Sequence, residues 1–494
     1  MKREIIIVLF LVGGVGLLLI DPITILNFFY IRGIEEINYF PIESPGAMII
    51  YLFTQYYIYF VAIILILALS AYIYKENIKN ICQNIIDYSL VRNKSNTMIV
   101  FLIVGIILRI FWIILTPLEP AGDPVKFIEL GNGILNGGTF GDGYTFLPPG
   151  YPIIISIIFG IFGEKLIYLK IMNVILSIGI SIMIYKLANI LFSSTIGIFA
   201  FIVSLILPSQ IEYTGWYNTE IPFTFFMLVS FYLVVKKPQE LKTCIIIGVL
   251  LGISSLIRPT TLLFPFLYGI IIWQTTGEFI LTLKKTVLIM VVSLIVISPW
   301  TYRNYKILNQ VVPISTNGGW VFWTGNNPVG DGGFTTFPRD VYPFTDKSLN
   351  MAQLEKALYV EGFRTIIANP GEKIKKGINS MKYFWLRDDV ASKHCLSKRH
   401  DNAILVLTFL IIDNTFYFII LAGFIFYILK RIKEKLFIPS FGHWIILYFM
   451  AIHFLMFSIP RYRFPIMPFV IIYSSVFLIS LISNNSHTNS LIKD

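Results

Sequence analysis

Long apolar runs separated by short polar segments repeat along this chain. The hydrocarbon core of a bilayer needs about 20 apolar residues in one helix. Runs at 4–20, 48–74, 98–116, 166–186, 194–208, 219–236, 243–274, 282–300, 402–429, 441–458 and 464–482 read as spans. The 243–274 run is too long for one helix. Arg258-Pro259 lies in its middle, and a proline ends a helix at the residue before it, so two helices are predicted to meet there. A further apolar stretch, 149–162, is only 14 residues long and follows Pro148. It reads as a re-entrant or interfacial helix rather than a span, which keeps the loops on either side of it consistent.

Composition sharpens the picture. Of 494 residues, 56% are hydrophobic and 14% charged, against about 25% charged in soluble domains. Too few charges exist to cover several soluble globules, and a disordered chain or a disulfide scaffold is excluded as well. The net charge of +11 comes from 39 basic and 28 acidic residues. It fits Lys- and Arg-rich cytoplasmic loops better than nucleic-acid binding. Those loops are 75–97, 236–242, the Lys284-Lys285 pair and 430–435. The segments 21–47, 117–148, 209–218 and 301–401, with the turn at Pro460, then face outside. Met1-Lys2-Arg3 before an apolar run, with no small-residue cleavage site after it, reads as an uncleaved anchor with a cytoplasmic N-terminus. Cys82, Cys244 and Cys395 are far apart and form no metal-ligand or redox spacing.

Candidate chemistry lies on the outer side. Asp123, in Leu118-Glu119-Pro120-Ala121-Gly122-Asp123-Pro124, directly follows a span. A carboxylate there can take a proton from an alcohol, although Asp is also a common helix cap. Glu220 opens a span in Tyr217-Asn218-Thr219-Glu220, either as a helix-dipole partner or as part of a site beside Trp216. Arg258, Arg303, Arg461 and Arg463 lie at outer ends of spans, with Tyr462 between the last two. Arginine in a span costs about 2.5–3.5 kcal/mol on insertion scales, so such residues face a cavity or a partner unless they snorkel. Arg109, in mid-span, reads as a structural pairing residue inside the bundle. The stretch from Ser315-Thr316-Asn317-Gly318-Gly319-Trp320 to Asn326 and Asn327 is turn-forming and of a kind that also binds sugars. His453 reads as a packing residue, and no histidine and carboxylate spacing suggests a metal.

Guanidinium forks bind phosphate bidentately. A phosphate at the membrane surface implies a lipid phosphate, and a nearby carboxylate would activate an acceptor hydroxyl. These parts describe sugar transfer from a lipid carrier. The alternative is a lipid-linked glycan transporter, polymerase or ligase. A transporter would show inverted repeats, and the sequence shows none; a non-catalytic scaffold is the third reading.

The motifs occur in an order that resembles the GT-C membrane glycosyltransferases. They are closest to the protein O-mannosyltransferase and aminoarabinose transferase-like superfamily, glycosyltransferase family 39 and its Rgt-type relatives. The series is Arg109 before the loop with Asp123, LPPGYP at 147–152, Thr219-Glu220, Arg258-Pro259-Thr260 and PWTYRNY at 299–305. It ends with STNGGW at 315–320, GNNP at 325–328 and RYRFPIMP at 461–468. The resemblance implies an all-α polytopic fold, a bundle of about 11–13 transmembrane helices with outer interfacial loop helices and a small outer loop domain. It divides the chain into an added N-terminal hairpin and cytoplasmic loop (1–97), a GT-C-like core (98–300) with first outer loop 117–148, an outer loop domain (301–401) and C-terminal helices (402–494).

It also implies a multi-pass plasma-membrane enzyme that moves a sugar from a polyprenyl phosphate to a lipid, glycan or protein hydroxyl on the outer face, with inversion. No cofactor and no metal is expected. Asp123 would be the general base. Glu220, Arg258, Arg303, Arg461, Tyr462, Arg463 and Asn326 would contact substrate, Arg461 and Arg258 holding the lipid phosphate. Many relatives carry Asp-Glu in the first loop, whereas here Asp123 is followed by Pro124.

Overall fold

The computed structural model describes residues 84, 90, 92–116, 119–138, 140–141, 143–334, 349–396, 403–434 and 441–482. The spans expected at 4–20 and 48–74, and most of the proposed N-terminal unit, lie outside the described residues. Within them the chain is a helical bundle, and the only β-pairing there is an isolated bridge between Gly333 and Ser458. Five helices are long and apolar enough to cross a membrane, or six if one bent pair is a single span.

The core runs α1 (Lys94–Leu115), α2 (Asp123–Gly137), α3 (Gly150–Phe162), α4 (Ile167–Leu191), α5 (Ser194–Ile206) and α6 (Pro208–Glu212). It continues with α7 (Glu220–Lys236), α8 (Leu241–Ile257), α9 (Phe264–Thr276) and α10 (Phe279–Leu308). Helix α3 has 13 residues, roughly 20 Å at 1.5 Å per residue, short of the ~30 Å hydrocarbon core. The long 243–274 run is divided as its proline dictates: α8 stops at Ile257, Arg258 is extended, and a 3-10 turn over Pro259–Thr261 leads into α9.

Small residues set the closest packing. A Cβ added to Gly248 or Gly252 of α8 would stand 2.6 Å from the Cβ of Val292 or Val296 on α10. Two glycines four residues apart let these helices approach where lipid supplies no hydrophobic drive. Ile103, Ile107, Phe111 and Ile114 of α1 are exposed. They form the apolar face that a lipid-embedded helix needs.

Arg109 is fully buried, in the pairing role the sequence suggested. Helix α5 bends by 62° into α6 at Pro208. Proline has no N–H to donate to the Ser204 carbonyl four residues back. Arg109 replaces it, donating to the carbonyls of Ser204 at 3.2 Å and Leu205 at 2.9 Å, and from Nε to Ser177 Oγ at 2.9 Å.

Within 301–401 the described residues form α11 (Gly318–Asn326), α12 (Met351–Ala368), α13 (Pro370–Trp385) and α14 (Val390–Leu396). This segment is attached to the bundle by polar contacts as well as apolar ones. Lys373 of α13 donates to the carbonyls of Phe454 at 2.9 Å and Leu455 at 2.8 Å, at the end of α16 (Gly442–Leu455). Those carbonyls are unsatisfied within their own helix. Helix α15 (Ala403–Lys433), a 3-10 turn over Pro460–Ile466 and α17 (Met467–Ile482) complete the bundle.

Candidate active site

Asp123 occupies the first turn of α2, with Gly122 as the cap residue at φ 69° and Pro124 next in the helix. The sharp entry needs a left-handed residue, which Gly tolerates. With Gly122 in the cap position, no side chain caps this end of α2. Asp123 is 54% exposed, and its Oδ2 lies 3.2 Å from Nη2 of Arg461.

The second carboxylate is placed by a braced segment. Between α5 and α7 the chain turns through residues 207–219, and polar groups of α1 and α4 hold it. Trp112 Nε1 donates to the Glu212 carbonyl at 2.8 Å, Ser177 Oγ to the Gln210 carbonyl at 3.1 Å, and Asn173 Nδ2 to the Trp216 carbonyl at 2.9 Å. Glu220 follows as the first residue of α7, 1% exposed. Its Oε1 lies 2.5 Å from Arg258 Nη2 and 3.9 Å from Arg461 Nε. Arg258 also donates from Nε to Thr219 Oγ1 at 2.8 Å. A carboxylate this buried requires charge partners, and the two arginines supply them.

The result is a continuous series, Asp123, Arg461, Glu220, Arg258. The extended backbone at Arg258, forced by Pro259, brings its side chain back towards α7. Arg258 lies 5.8 Å from the Tyr462 ring centre, and Arg461 lies 5.6 Å from that of Trp216. The arginines are 16% and 18% exposed. They are anchored by carboxylates and remain partly exposed. That arrangement can bind an anion and can present Asp123 as a base to a hydroxyl. Among the described residues, no group of three or more His, Cys, Asp or Glu is placed to hold a metal ion.

Three residues expected at the site do not join this series. Arg303 donates to the carbonyls of Tyr144 at 2.8 Å and Phe140 at 3.1 Å, and its guanidinium packs 4.6 Å from the Trp300 ring. It fastens the loop between α2 and α3 to the end of α10. Arg463 is fully buried. It donates to the carbonyls of Phe384 and Arg387 and to Asp388 Oδ1 at 2.8 Å, with Tyr417 stacked at 4.1 Å. Asn326 is buried and donates to the carbonyls of Phe322 at 2.7 Å and Leu455 at 2.8 Å.

His394 on α14 was not singled out by sequence reasoning. Its ring packs against Trp216, tilted by 31° with ring centres 4.4 Å apart. Burial lowers its pKa below the usual value, and Arg461 adds to this while Glu220 and Asp123 oppose it. The Trp216 indole that His394 contacts is also contacted by Arg461 of the series. No local motif marks His394, because the link to Trp216 spans 178 positions of chain. Asp388, behind the site, is raised by burial despite its bond to Arg463. Tyr144 is pushed up to about 12 by burial and by the charges of Asp123 and Glu129.

Residues 147–302 match the family described as dolichyl-phosphate-mannose-protein mannosyltransferase. No curated protein matches the chain. Among solved structures, the oligosaccharyltransferase AglB of Archaeoglobus fulgidus, in complex with an inhibitory peptide and a dolichol-phosphate, is similar at 15% identity and TM-score 0.45. The match covers 78% of this chain and 50% of that one. ArnT of Cupriavidus metallidurans, bound to undecaprenyl phosphate, is similar at 12% identity and TM-score 0.38, covering 79% of this chain and 78% of that one. The chain thus spans about half the length of the oligosaccharyltransferase it matches.

Proposed function

We propose that this chain is a GT-C-type membrane glycosyltransferase that transfers a sugar from a polyprenyl phosphate to an acceptor hydroxyl on the outer face of the plasma membrane. The observation that carries the reading is the Asp123–Arg461–Glu220–Arg258 series. Arg461 and Arg258 hold the donor phosphate, and Glu220 fixes both guanidiniums from below. Tyr462 packs against Arg258 and Arg461 and keeps their planes in place. Asp123, the most exposed member, takes the proton of the acceptor hydroxyl as its oxygen attacks the anomeric carbon. The bond from that carbon to phosphate breaks on the opposite face, which inverts the configuration. Charge gathering on the leaving phosphate meets donors already in position. The acceptor is a lipid, glycan or protein hydroxyl. The family's protein mannosyltransferase description makes a protein hydroxyl the first to try.

The test uses the full chain in reconstituted membranes with radiolabelled polyprenyl-phosphate sugars and an acceptor extract. Asp123→Asn should retain donor binding and lose about 10²–10⁴ in turnover, the usual worth of a positioned base. Equal turnover in wild type and Asp123→Asn would remove Asp123 as the base. Failure of the wild type to bind any polyprenyl phosphate would remove the reading itself.

A further inference from the structure

The resting series contains two cations, Arg258 and Arg461, and two anions, Asp123 and Glu220. Its formal charge is zero before any substrate arrives. A donor phosphodiester adds one negative charge. Breaking its bond to the sugar leaves a phosphate monoester, which carries close to two. The arginines already share their donors with carboxylates, so the added charge calls for a further cation within reach.

His453 and His394 both lie beside the series; His453 is buried against Tyr462, and His394 is the more accessible of the two. His394 is half-buried, and its ring packs at a tilt against the Trp216 indole that Arg461 also contacts. We propose that His394 is a third phosphate-binding residue, neutral in the empty site and protonated when the lipid phosphate docks, which donates a hydrogen bond to the leaving phosphate. The proposal deepens the transferase reading above and rests on it. The proton comes from bulk water on donor binding. In the transfer step the acceptor proton goes to Asp123, and the bonding pair of the broken C–O bond stays on the phosphate oxygen. The imidazolium N–H then faces that oxygen.

The surroundings allow both states. On its own helix His394 is flanked by Lys393 and Cys395, with Asp388 and Asp389 just before it. The elements packed against α14 bring Glu212 and Tyr213 from the 208–215 segment, Asp413 from α15, and Arg461, Tyr462 and Arg463 from the Pro460 turn. Arg461 acts against protonation while Glu220 and Asp123 favour it, and burial holds the balance on the neutral side. A phosphate seated on Arg461 offsets the nearest opposing charge and adds an attractive one, so the balance tips towards the imidazolium.

The experiment measures decaprenyl phosphate binding to the full chain in nanodiscs by calorimetry. Two buffers of different ionisation enthalpy at pH 7 give the protons taken up on binding. His394→Phe keeps the ring contact with Trp216 and removes both nitrogens. His394→Gln keeps a neutral donor. The wild type should take up more protons than either variant. His394→Phe should bind about tenfold more weakly, the worth of one charge-assisted hydrogen bond. His394→Gln should recover part of that affinity and none of the uptake. Uptake equal in wild type and His394→Phe, or affinity unchanged in His394→Phe, overturns the assignment of His394. Absence of any lipid-phosphate binding by the wild type instead overturns the transferase reading beneath it. Melting curves for both variants identify any that fail to fold.

Discussion

Two arginines separated by one residue show how position rather than residue type decides a role. Arg461 and Arg463 share a 3-10 turn, which points alternate side chains to different sides. Arg461 meets Asp123 at the open edge of the site. Arg463 is enclosed between Tyr417 and the carbonyls of Phe384 and Arg387. Their replacement by Gln should therefore fail differently. Arg461→Gln should fold normally and weaken polyprenyl phosphate binding about tenfold or more, since it removes a charged phosphate donor. Arg463→Gln should destabilise the chain by about 3–5 kcal/mol, because it leaves buried Asp388 without its cation. Thermal unfolding alongside lipid-phosphate titration separates the two outcomes, and a stable Arg463→Gln protein with impaired binding would contradict this division.

At the scale of elements, the α8–α10 contact positions Arg258. Helix α8 ends at Ile257, so any shift of α8 along α10 moves Arg258 relative to Glu220. Gly252 faces Val296 with no room for a Cβ. Gly252→Leu should force the helices apart and cost about 1–3 kcal/mol, seen as a lowered melting temperature. It should also weaken donor binding, although Gly252 touches no substrate in the proposed site. An unchanged melting temperature would show that this contact is slack.

For the whole molecule, the helices of the 301–401 segment pack on the bundle, and the burial of one carboxyl there is expected to make the α11–α12 contact sensitive to pH. Glu355 of α12 accepts from the backbone N–H groups of Gly318 and Gly319 at the start of α11. Burial raises its pKa to about 7, while those two bonds oppose the shift. A folded-state value above the unfolded one means that the folded protein holds the proton more tightly. The stabilisation is complete below about pH 4.5 and is lost as pH rises through about 7. Hydrogen-exchange protection in α11 and α12, corrected for the intrinsic pH dependence of exchange, should fall between those values in wild type. Glu355→Gln should remove that dependence, and a slope that persists in the variant would assign it to another group.

Much of the architecture was legible in the apolar runs. Each described run became helical, most within a few residues of the expected ends, although the 282–300 run continues to Leu308 and the 194–208 and 243–274 runs each divide in two, because a helix in lipid must satisfy its own backbone. The break at Arg258-Pro259 was legible because proline acts locally. So was the burden of Arg109, since a mid-span charge needs a partner, although Ser177, Ser204 and Leu205 could not be named from it. The acid and base candidates were legible as residue types at outer helix ends. Their sorting was not. Asp123 and Arg461 are 338 positions apart, and nothing local distinguishes Arg461 from Arg463 or Arg303. Only the packed bundle decided which guanidiniums face an open edge and which are enclosed by carbonyls. It also brought His394 to Trp216. Hydropathy and proline act over one or two turns and are written in the sequence, whereas a charged site is assembled across the whole chain by the packing of helices.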